Sequence, residues 1–214
     1  MTSTTATTPS VLASLRHLIP RRPLTFDEAL RVAEQQAIRM AALVADERGI
    51  LEHHITGLPR ITVAYDELPV SGMSHWNGEH WVITIAKGDP VTRQRFTILH
   101  EYKHIIDHGR THDLYTGDRF RSGEQQAEKA ADYFAGCALV GKRELKAAWV
   151  SGIQKIADLA SHFGVSEPAI QARLAQTRLN VAVDREPTPR CARPTTTAVG
   201  SGQRFRAIYT TRRA

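Results

Sequence analysis

The sequence predicts an α+β fold, in which a small antiparallel sheet packs on a pair of helices and a helical, helix-turn-helix-like lobe follows. Three observations support this prediction. Apolar residues recur at helical spacing in several segments of the chain. A β-branched run and a hairpin pattern lie together between residues 61 and 86. A glycine separates two short helical patterns near residue 164.

The composition limits the class of protein. The chain has 214 residues, a hydrophobic fraction of 42% and a formal net charge of +6. This hydrophobic fraction suffices for a core and excludes a wholly disordered chain. Without a long apolar run or a signal-peptide pattern, we expect no membrane partner. Two cysteines, Cys137 and Cys191, indicate a reducing, cytoplasmic location.

The basic charge is concentrated at the two ends of the chain. Residues 1–23 carry three arginines and no acidic residue, and residues 186–214 carry six arginines and one glutamate. Both ends are rich in small and turn-forming residues, so we expect a flexible N-terminal tail over 1–23 and a basic, largely disordered C-terminal tail over 183–214. Between them we expect a main domain over 24–142 and a helix-turn-helix-like subdomain over 143–182.

Two long helices are predicted from their start signals. Thr25 and Glu28 have the spacing of a capping box, and the helical pattern that follows continues to about Glu47. Asp89-Pro90 is typical of an N-cap followed by a first-turn proline, which predicts a helix over about 91–108.

The remaining elements follow from turn and alternation signals. Ile61–Tyr65 is predicted as a strand, and Asn77-Gly78 as a two-residue hairpin turn, because both residues tolerate positive φ. We therefore expect an antiparallel sheet over about 61–86. A further helix is predicted over about 123–140, and short helices over 142–178.

One motif carries chemistry. Residues 99–104 read LHEYKH and contain His-Glu-x-x-His, with His100, Glu101 and His104. Helix positions i and i+4 share a face, so both imidazoles can bind one metal ion. Neutral imidazole suits Zn²⁺, which takes three protein ligands in catalytic sites and leaves a position for water. Glu101 can accept a proton from that water, so we expect it to be the catalytic base.

The third metal ligand has two candidates. Glu128 lies on the next predicted helix and Asp132 follows it at i+4, the arrangement of zinc peptidases whose third ligand is a glutamate. In that arrangement Asp132 accepts a hydrogen bond from a ligand histidine and fixes its orientation. His108 extends the histidine series on the first helix and remains an alternative, although i+8 drifts about 80° around the helix.

These motifs resemble the ImmA/IrrE family of zinc metallopeptidases. The resemblance rests on RQRFTILHEYKHIIDHG at 93–109 and EKAADYFAGCAL at 128–139, and it extends over roughly 25–180. The sequence departs from the family after Leu139, where Val140-Gly141 replaces a common Met-Pro.

The resemblance implies a function and a set of roles. It implies that 24–142 is a metallopeptidase domain, with zinc held by His100, His104 and Glu128 and with Glu101 as base. It also implies cytoplasmic cleavage of a helix-turn-helix transcriptional repressor, which derepresses stress, phage or mobile-element genes.

A second signal leaves another class of function open. In LASHFGVSEPAIQARL at 159–174, Gly164 permits a tight turn and Ser166 can cap the second helix. That helix offers three side chains for base contacts: Gln171, Arg173 and Gln176. The alternatives are therefore a DNA-binding regulator or a repressor-sequestering protein, each with a structural zinc. Weak nucleic-acid contact is expected first from the arginine-rich tail.

Overall fold

The structure, a computed structural model, describes residues 10–46 and 49–179. The predicted basic tail at 183–214 and Cys191 lie outside the described residues. In chain order the elements are α1 (Val11–Arg16), α2 (Phe26–Val44), α3 (Glu52–Thr56), β1 (Ile61–Asp66), β2 (Gly72–Trp76), β3 (Trp81–Ala86), α4 (Val91–Asp107), α5 (Thr111–Leu114), α6 (Gly123–Leu139), α7 (Lys142–Val150), α8 (Ile156–Phe163) and α9 (Glu167–Thr177). The predicted α+β class is confirmed.

The sheet is mixed, with strand order β1-β3-β2. β2 and β3 pair antiparallel, as predicted, but β1 and β3 pair parallel. The prediction of an entirely antiparallel sheet is therefore wrong for β1. β3 lies in the middle of the sheet, between β1 and β2. It runs antiparallel to β2 and in the same direction as β1. β2 is consequently an edge strand.

The hairpin between β2 and β3 has a longer turn than predicted. Trp76 pairs with Trp81, which leaves four residues in the connection instead of two. Gly78 has the positive φ that the prediction required. The Asn77 side chain accepts hydrogen bonds from the backbone N–H groups of Glu79 and His80, at 3.0 and 2.9 Å. These bonds stabilise the wider loop.

The long helices begin close to their predicted positions. Thr25 caps α2: its Oγ1 accepts from Glu28 N at 3.3 Å, and the Glu28 carboxylate accepts from Thr25 N at 2.9 Å. The helix ends at Val44, before the predicted Glu47. α4 spans nearly the predicted range, but its N-cap is Pro90, one residue after the predicted Asp89.

The prediction of a flexible tail over 1–23 is wrong from residue 10 onward. Leu15 and Ile19 are buried in the core together with Leu24. Arg16 Nη2 donates to Ile105 O at 2.7 Å, and its Nε donates to Ile106 O at 3.2 Å. The i, i+4 spacing of Leu15 and Ile19 makes this short segment amphipathic, which its average composition conceals.

The core places α4 between the sheet and α6. Ile83 and Ile85 of β3 are fully buried, and β3 packs on α4. On its other side α4 packs on α6, which α2 also covers. Many of the buried residues of α2 and α6 are alanines, which allow helices to approach closely: Ala29, Ala33, Ala37, Ala130, Ala131 and Ala135.

The C-terminal helices have the predicted turn. Gly164 ends α8 in the left-handed region at φ 61°, and α9 begins after Ser166. α9 packs on α6 as well as on α8. The predicted domain boundary between residues 142 and 143 stays a prediction. None of the described helices has the length and apolarity needed to cross a membrane.

Candidate metal centre

Helices α4 and α6 bring three donor side chains to one place. The Nε2 atoms of His100 and His104 lie 3.2 Å apart. Glu128 Oε2 lies 3.2 Å from His100 Nε2, and Glu128 Oε1 lies 3.3 Å from His104 Nε2. Donors around a tetrahedral ion with bonds of about 2.0–2.1 Å are separated by about 3.3–3.4 Å. The two imidazoles approach different oxygens of the Glu128 carboxylate, and the three side chains, the donor triangle, lie close enough together to hold one metal ion.

Asp132 orients His100 within the donor triangle. Its Oδ1 accepts a hydrogen bond from His100 Nδ1 at 3.0 Å. This bond places the ring proton on Nδ1 and leaves the lone pair of Nε2 directed toward the other donors. Sequence spacing places Asp132 one turn after Glu128, and the structure brings both against the same histidine.

The two histidines have pKa values shifted in opposite directions. Burial lowers the pKa of His100, but the hydrogen bond to Asp132 and the charges of Asp132, Glu128 and Glu101 outweigh burial and raise it. Burial lowers the pKa of His104, and in the absence of metal the charge of a protonated His100 lowers it further. His104 therefore favours the neutral form, which has a lone pair to donate.

The donor triangle is accessible from solvent. The Glu128 side chain is 56% exposed, and those of His104 and His100 are 29% and 16% exposed. A structural zinc site is closed by its protein ligands, whereas a catalytic one keeps an open position. The exposure of these side chains leaves the donor triangle open to water or a ligand from one side.

Glu101 lies beside the donor triangle and is held by the sheet. It is only 9% exposed, and its Oε2 accepts a hydrogen bond from Ser74 Oγ at 2.8 Å. Gly72 makes the close approach of β2 to α4 possible, because a Cβ at this position would overlap Thr97 Cγ2. Ser74 is not among the predicted site residues, since strand alternation indicates the face it occupies but not its partner across the core.

The inner face of α4 fixes the rotation of the helix. Lys103, which is 1% exposed, donates to Asp107 Oδ2 at 2.6 Å, and Tyr115 Oη donates to the same oxygen at 2.6 Å. Burial lowers the pKa of Lys103, although Asp107 opposes this shift. This buried ion pair and the Tyr115 hydroxyl anchor the end of the helix that bears both histidines.

Other histidines of the described residues are less suited to hold a metal than the donor triangle is. His108 packs against the Trp81 ring at a centroid distance of 4.9 Å and is outside the donor triangle. Among the described residues, donor atoms of Asp46, His53 and His54 also come together. However, Nδ1 of His54 accepts from Leu51 N at 3.0 Å, so the neutral ring carries its proton on Nε2 and has no free lone pair for a metal.

The side chains predicted to contact DNA are not equivalent. Gln171 and Gln176 are exposed on α9, but Arg173 is 2% exposed. Arg173 Nε donates to Val140 O at 3.0 Å, and its Nη1 donates to Gln176 Oε1 at 2.7 Å. The one cation among the three is therefore buried in the contact between α9 and the end of α6.

Comparisons with known proteins agree with this architecture. The fold is similar to that of a Mycobacterium tuberculosis transcriptional regulator, with a TM-score of 0.57 and 21% identity, covering 76% of this chain and 51% of that one. This chain thus spans about half the length of that protein. The sequence has no significant match among curated proteins. Residues 61–175, more than half of the chain, match the peptidase family Peptidase_M78, described as the IrrE N-terminal-like domain. The chain therefore belongs to this family.

Proposed function

We propose that the protein is a cytoplasmic, zinc-dependent endopeptidase that cleaves a helix-turn-helix transcriptional repressor and so derepresses stress, phage or mobile-element genes. The donor triangle of His100, His104 and Glu128 is the observation that carries the proposal. Membership of the peptidase family supports hydrolysis of a peptide bond. The choice of repressor as substrate rests on the sequence resemblance.

The donor set favours zinc over harder cations. Two neutral imidazoles and one carboxylate are typical ligands of catalytic Zn²⁺, whereas Mg²⁺ and Ca²⁺ prefer oxygen ligands alone. When bound, zinc would lower the pKa of a water molecule and polarise the scissile carbonyl group. His100, His104 and Glu128 would hold the ion, and Asp132 would keep the His100 ring in the orientation that binding needs.

Glu101 is the general base of the proposed mechanism. Its carboxylate accepts the proton of the attacking water and returns that proton to the leaving amine nitrogen. Ser74 Oγ donates to Oε2 of this carboxylate, which restricts its rotation and leaves the other oxygen for the transfer. Burial of Glu101 supports this role, because bulk water is largely excluded from the carboxylate that exchanges the proton.

The free edge of β2 is the proposed binding place of the substrate backbone. Among residues 10–46 and 49–179, β2 pairs with β3 on one side only, and its residue Ser74 contacts Glu101. A peptide that adds to this edge as a further strand lies next to the base and satisfies its own backbone groups. The scissile bond would then be presented to the donor triangle in an extended conformation.

The other two readings have less support. A regulator that binds DNA through α9 is favoured by the turn at Gly164 and by the similarity of the fold to that of a transcriptional regulator, but Arg173 is buried. A protein that only sequesters a repressor does not need Glu101 as a base or the hydrogen bond from Ser74 that positions it. Peptide hydrolysis uses all of the polar groups assembled at the site.

Metal content and cleavage test the proposal separately. We expect about one zinc per chain in the purified protein, retained in Glu101→Gln and strongly reduced in Glu128→Ala. Glu124→Ala, another exposed glutamate of α6, is the control and should retain its zinc.

The repressor encoded beside this gene should be cut by the native protein and not by Glu101→Gln. Cleavage by Glu101→Gln would remove the base assignment, and normal zinc in Glu128→Ala would remove Glu128 from the site.

A further inference from the structure

A groove of about 840 Å³ continues from the metal centre between α2, α4, α6 and α9. Asp132 belongs to both features, because it lines the groove and accepts the hydrogen bond of His100. The volume lies within the range of sites that bind small ligands or several side chains of a peptide. The groove is therefore a continuation of the site along the two motif helices.

The groove lies within a few peptide residues of the donor triangle. Phe96 and Thr92 line it, one and two turns before His100 on α4. These separations of four and eight residues correspond to about 6 and 12 Å along the helix axis. An extended chain advances about 3.3 Å per residue, so side chains two to four residues from the scissile bond would reach the groove. The Phe96 ring itself lies 6.4 Å from the His100 ring, centroid to centroid.

The lining is mainly apolar. Burial raises the pKa of Tyr133 to about 12, so its hydroxyl adds no charge near neutral pH. Partly exposed apolar side chains at a concave surface favour large apolar side chains of a ligand. The side chains of this protein that form the apolar part of the groove are Phe26, Leu30, Phe96, Tyr133, Leu139 and Ala172.

The rim of the groove is positively charged. Arg93, Arg121 and Lys129 line it and are exposed. Within the described part of the chain, none of the three lies within salt-bridge distance of a carboxylate, although the charges of Arg93 and Lys129 act on Asp132 and that of Arg121 acts on Asp118. The Arg121 guanidinium lies over the Phe26 ring at 5.5 Å, and Arg93 donates to Ser71 Oγ at 3.3 Å. The acidic residue of the lining, Asp132, is engaged with His100. A ligand of negative charge would complement this rim.

We propose that the groove binds the substrate segment next to the scissile bond and selects one in which large apolar side chains alternate with aspartate or glutamate. This inference rests on the proposed function and names its substrate class. The chain's own tail at 186–214 is an unsuitable occupant, because it carries six arginines against one glutamate. A nucleic acid would match the rim but leave the apolar floor unused.

Three short fluorescein-labelled peptides test the selectivity by anisotropy. One alternates leucine with glutamate, the second replaces each glutamate by lysine, and the third replaces each leucine by serine. The zinc-loaded Glu101→Gln protein is used, so that binding is read without hydrolysis. The Leu-Glu peptide should bind about tenfold or more tightly than either of the others, and its affinity should fall as salt is added. Equal affinity for the Leu-Glu and Leu-Lys peptides would overturn the proposal.

Two substitutions in the groove, each with a matched control on α7, locate the binding. Ala172→Trp fills the groove and should abolish peptide binding, whereas Ala147→Trp, at an exposed position outside it, should not. Arg121→Glu should reduce the preference for glutamate over lysine several-fold, about the effect of one or two exposed ion pairs. Arg143→Glu makes the same charge change outside the groove and should preserve the preference. Native binding by Ala172→Trp would contradict the proposal.

The result for the groove is independent of the result for catalysis. If the Leu-Glu peptide is preferred but the native protein does not cut the repressor, the groove is supported and the peptidase function fails. If the native protein cuts the repressor but the three peptides bind alike, the groove proposal fails alone.

Discussion

Ser74 connects the sheet to the motif helix through one side-chain hydrogen bond, which runs from its Oγ to Glu101 Oε2 over 2.8 Å. The contact depends on Gly72, two residues earlier on the same face of β2, because a larger residue there would push the strand away from Thr97. In the proposed mechanism, Ser74 is a positioning residue that acts through the carboxylate of Glu101.

Removal of the Ser74 hydroxyl should affect turnover more than binding. We expect Ser74→Ala to lower kcat about tenfold or more, since a hydrogen bond to a charged group is worth roughly 1.5–3 kcal/mol, while KM and zinc content stay the same. Ser74→Thr keeps a hydroxyl and should recover most of kcat. Steady-state kinetics on the repressor and metal analysis are the measurements. Unchanged kcat in Ser74→Ala would show that Glu101 needs no such support.

Residues whose spacing within one helix determines their geometry could be predicted from the sequence. His100 and His104 share a face because α4 repeats every 3.6 residues, and the structure brings them together as expected. Ser74 could not be predicted, because its contact with Glu101 spans two elements packed across the core. The same holds for Arg173, whose burial depends on where α9 docks.

At the level of elements, the starts of the helices depend on local sequence signals. The strand order and the packing of α1 depend on contacts between residues far apart in the chain. The capping box at Thr25 needs only four consecutive residues, and it is present. The parallel pairing of β1 with β3 follows from the position of β2 on the far side, which no local pattern encodes. The packing of α1 was missed for a similar reason, since Arg16 meets carbonyl groups some 90 residues later.

The start of α2 should contribute stability that depends on pH. The hydrogen bond from Arg22 and the one from Thr25 N lower the pKa of Glu28 from 4.5 to about 2. A depressed folded-state pKa adds stability that is complete above the unfolded value and lost as pH falls through the folded value. The contribution of Glu28 should therefore decline between pH 4.5 and about 2.

Glu28→Gln tests this dependence, because glutamine can still accept from Thr25 N but carries no charge. Its urea midpoint should lie below that of the native protein near neutral pH, and the gap should narrow by about pH 3. Glu167→Gln, in the first turn of α9, is the control and should show no comparable gap. A gap that is constant with pH would contradict an electrostatic origin.

At the level of the whole molecule, the C-terminal helices are attached to α6, which bears Glu128, through a buried cation. Arg173 donates to Val140 O at the end of α6, and its guanidinium lies 5.8 Å from the Tyr133 ring. Gly136 leaves room for this side chain, since a Cβ there would lie 3.2 Å from Arg173 Cδ. The helical pair that resembles a DNA-binding motif is thus built into the wall of the groove.

Arg173→Met should loosen this attachment. The substitution leaves Val140 O without its donor, and we expect a loss of about 2–4 kcal/mol in the free energy of unfolding. Gln171→Met changes an exposed position on the same helix and should cost little. Urea denaturation followed by circular dichroism measures both. Native stability in Arg173→Met would show that α9 is held by its apolar contacts alone.

The packing of α1 and α2 against the motif helices also determines where the cooperative folding unit begins. The family match starts at residue 61, yet α2 covers α6 and Arg16 satisfies the last carbonyl groups of α4. A fragment that starts at residue 61 would expose the surface of α6 that α2 covers and release the end of the helix that bears both histidines. We therefore expect the residues upstream of the match to unfold together with the helices that carry the donor triangle.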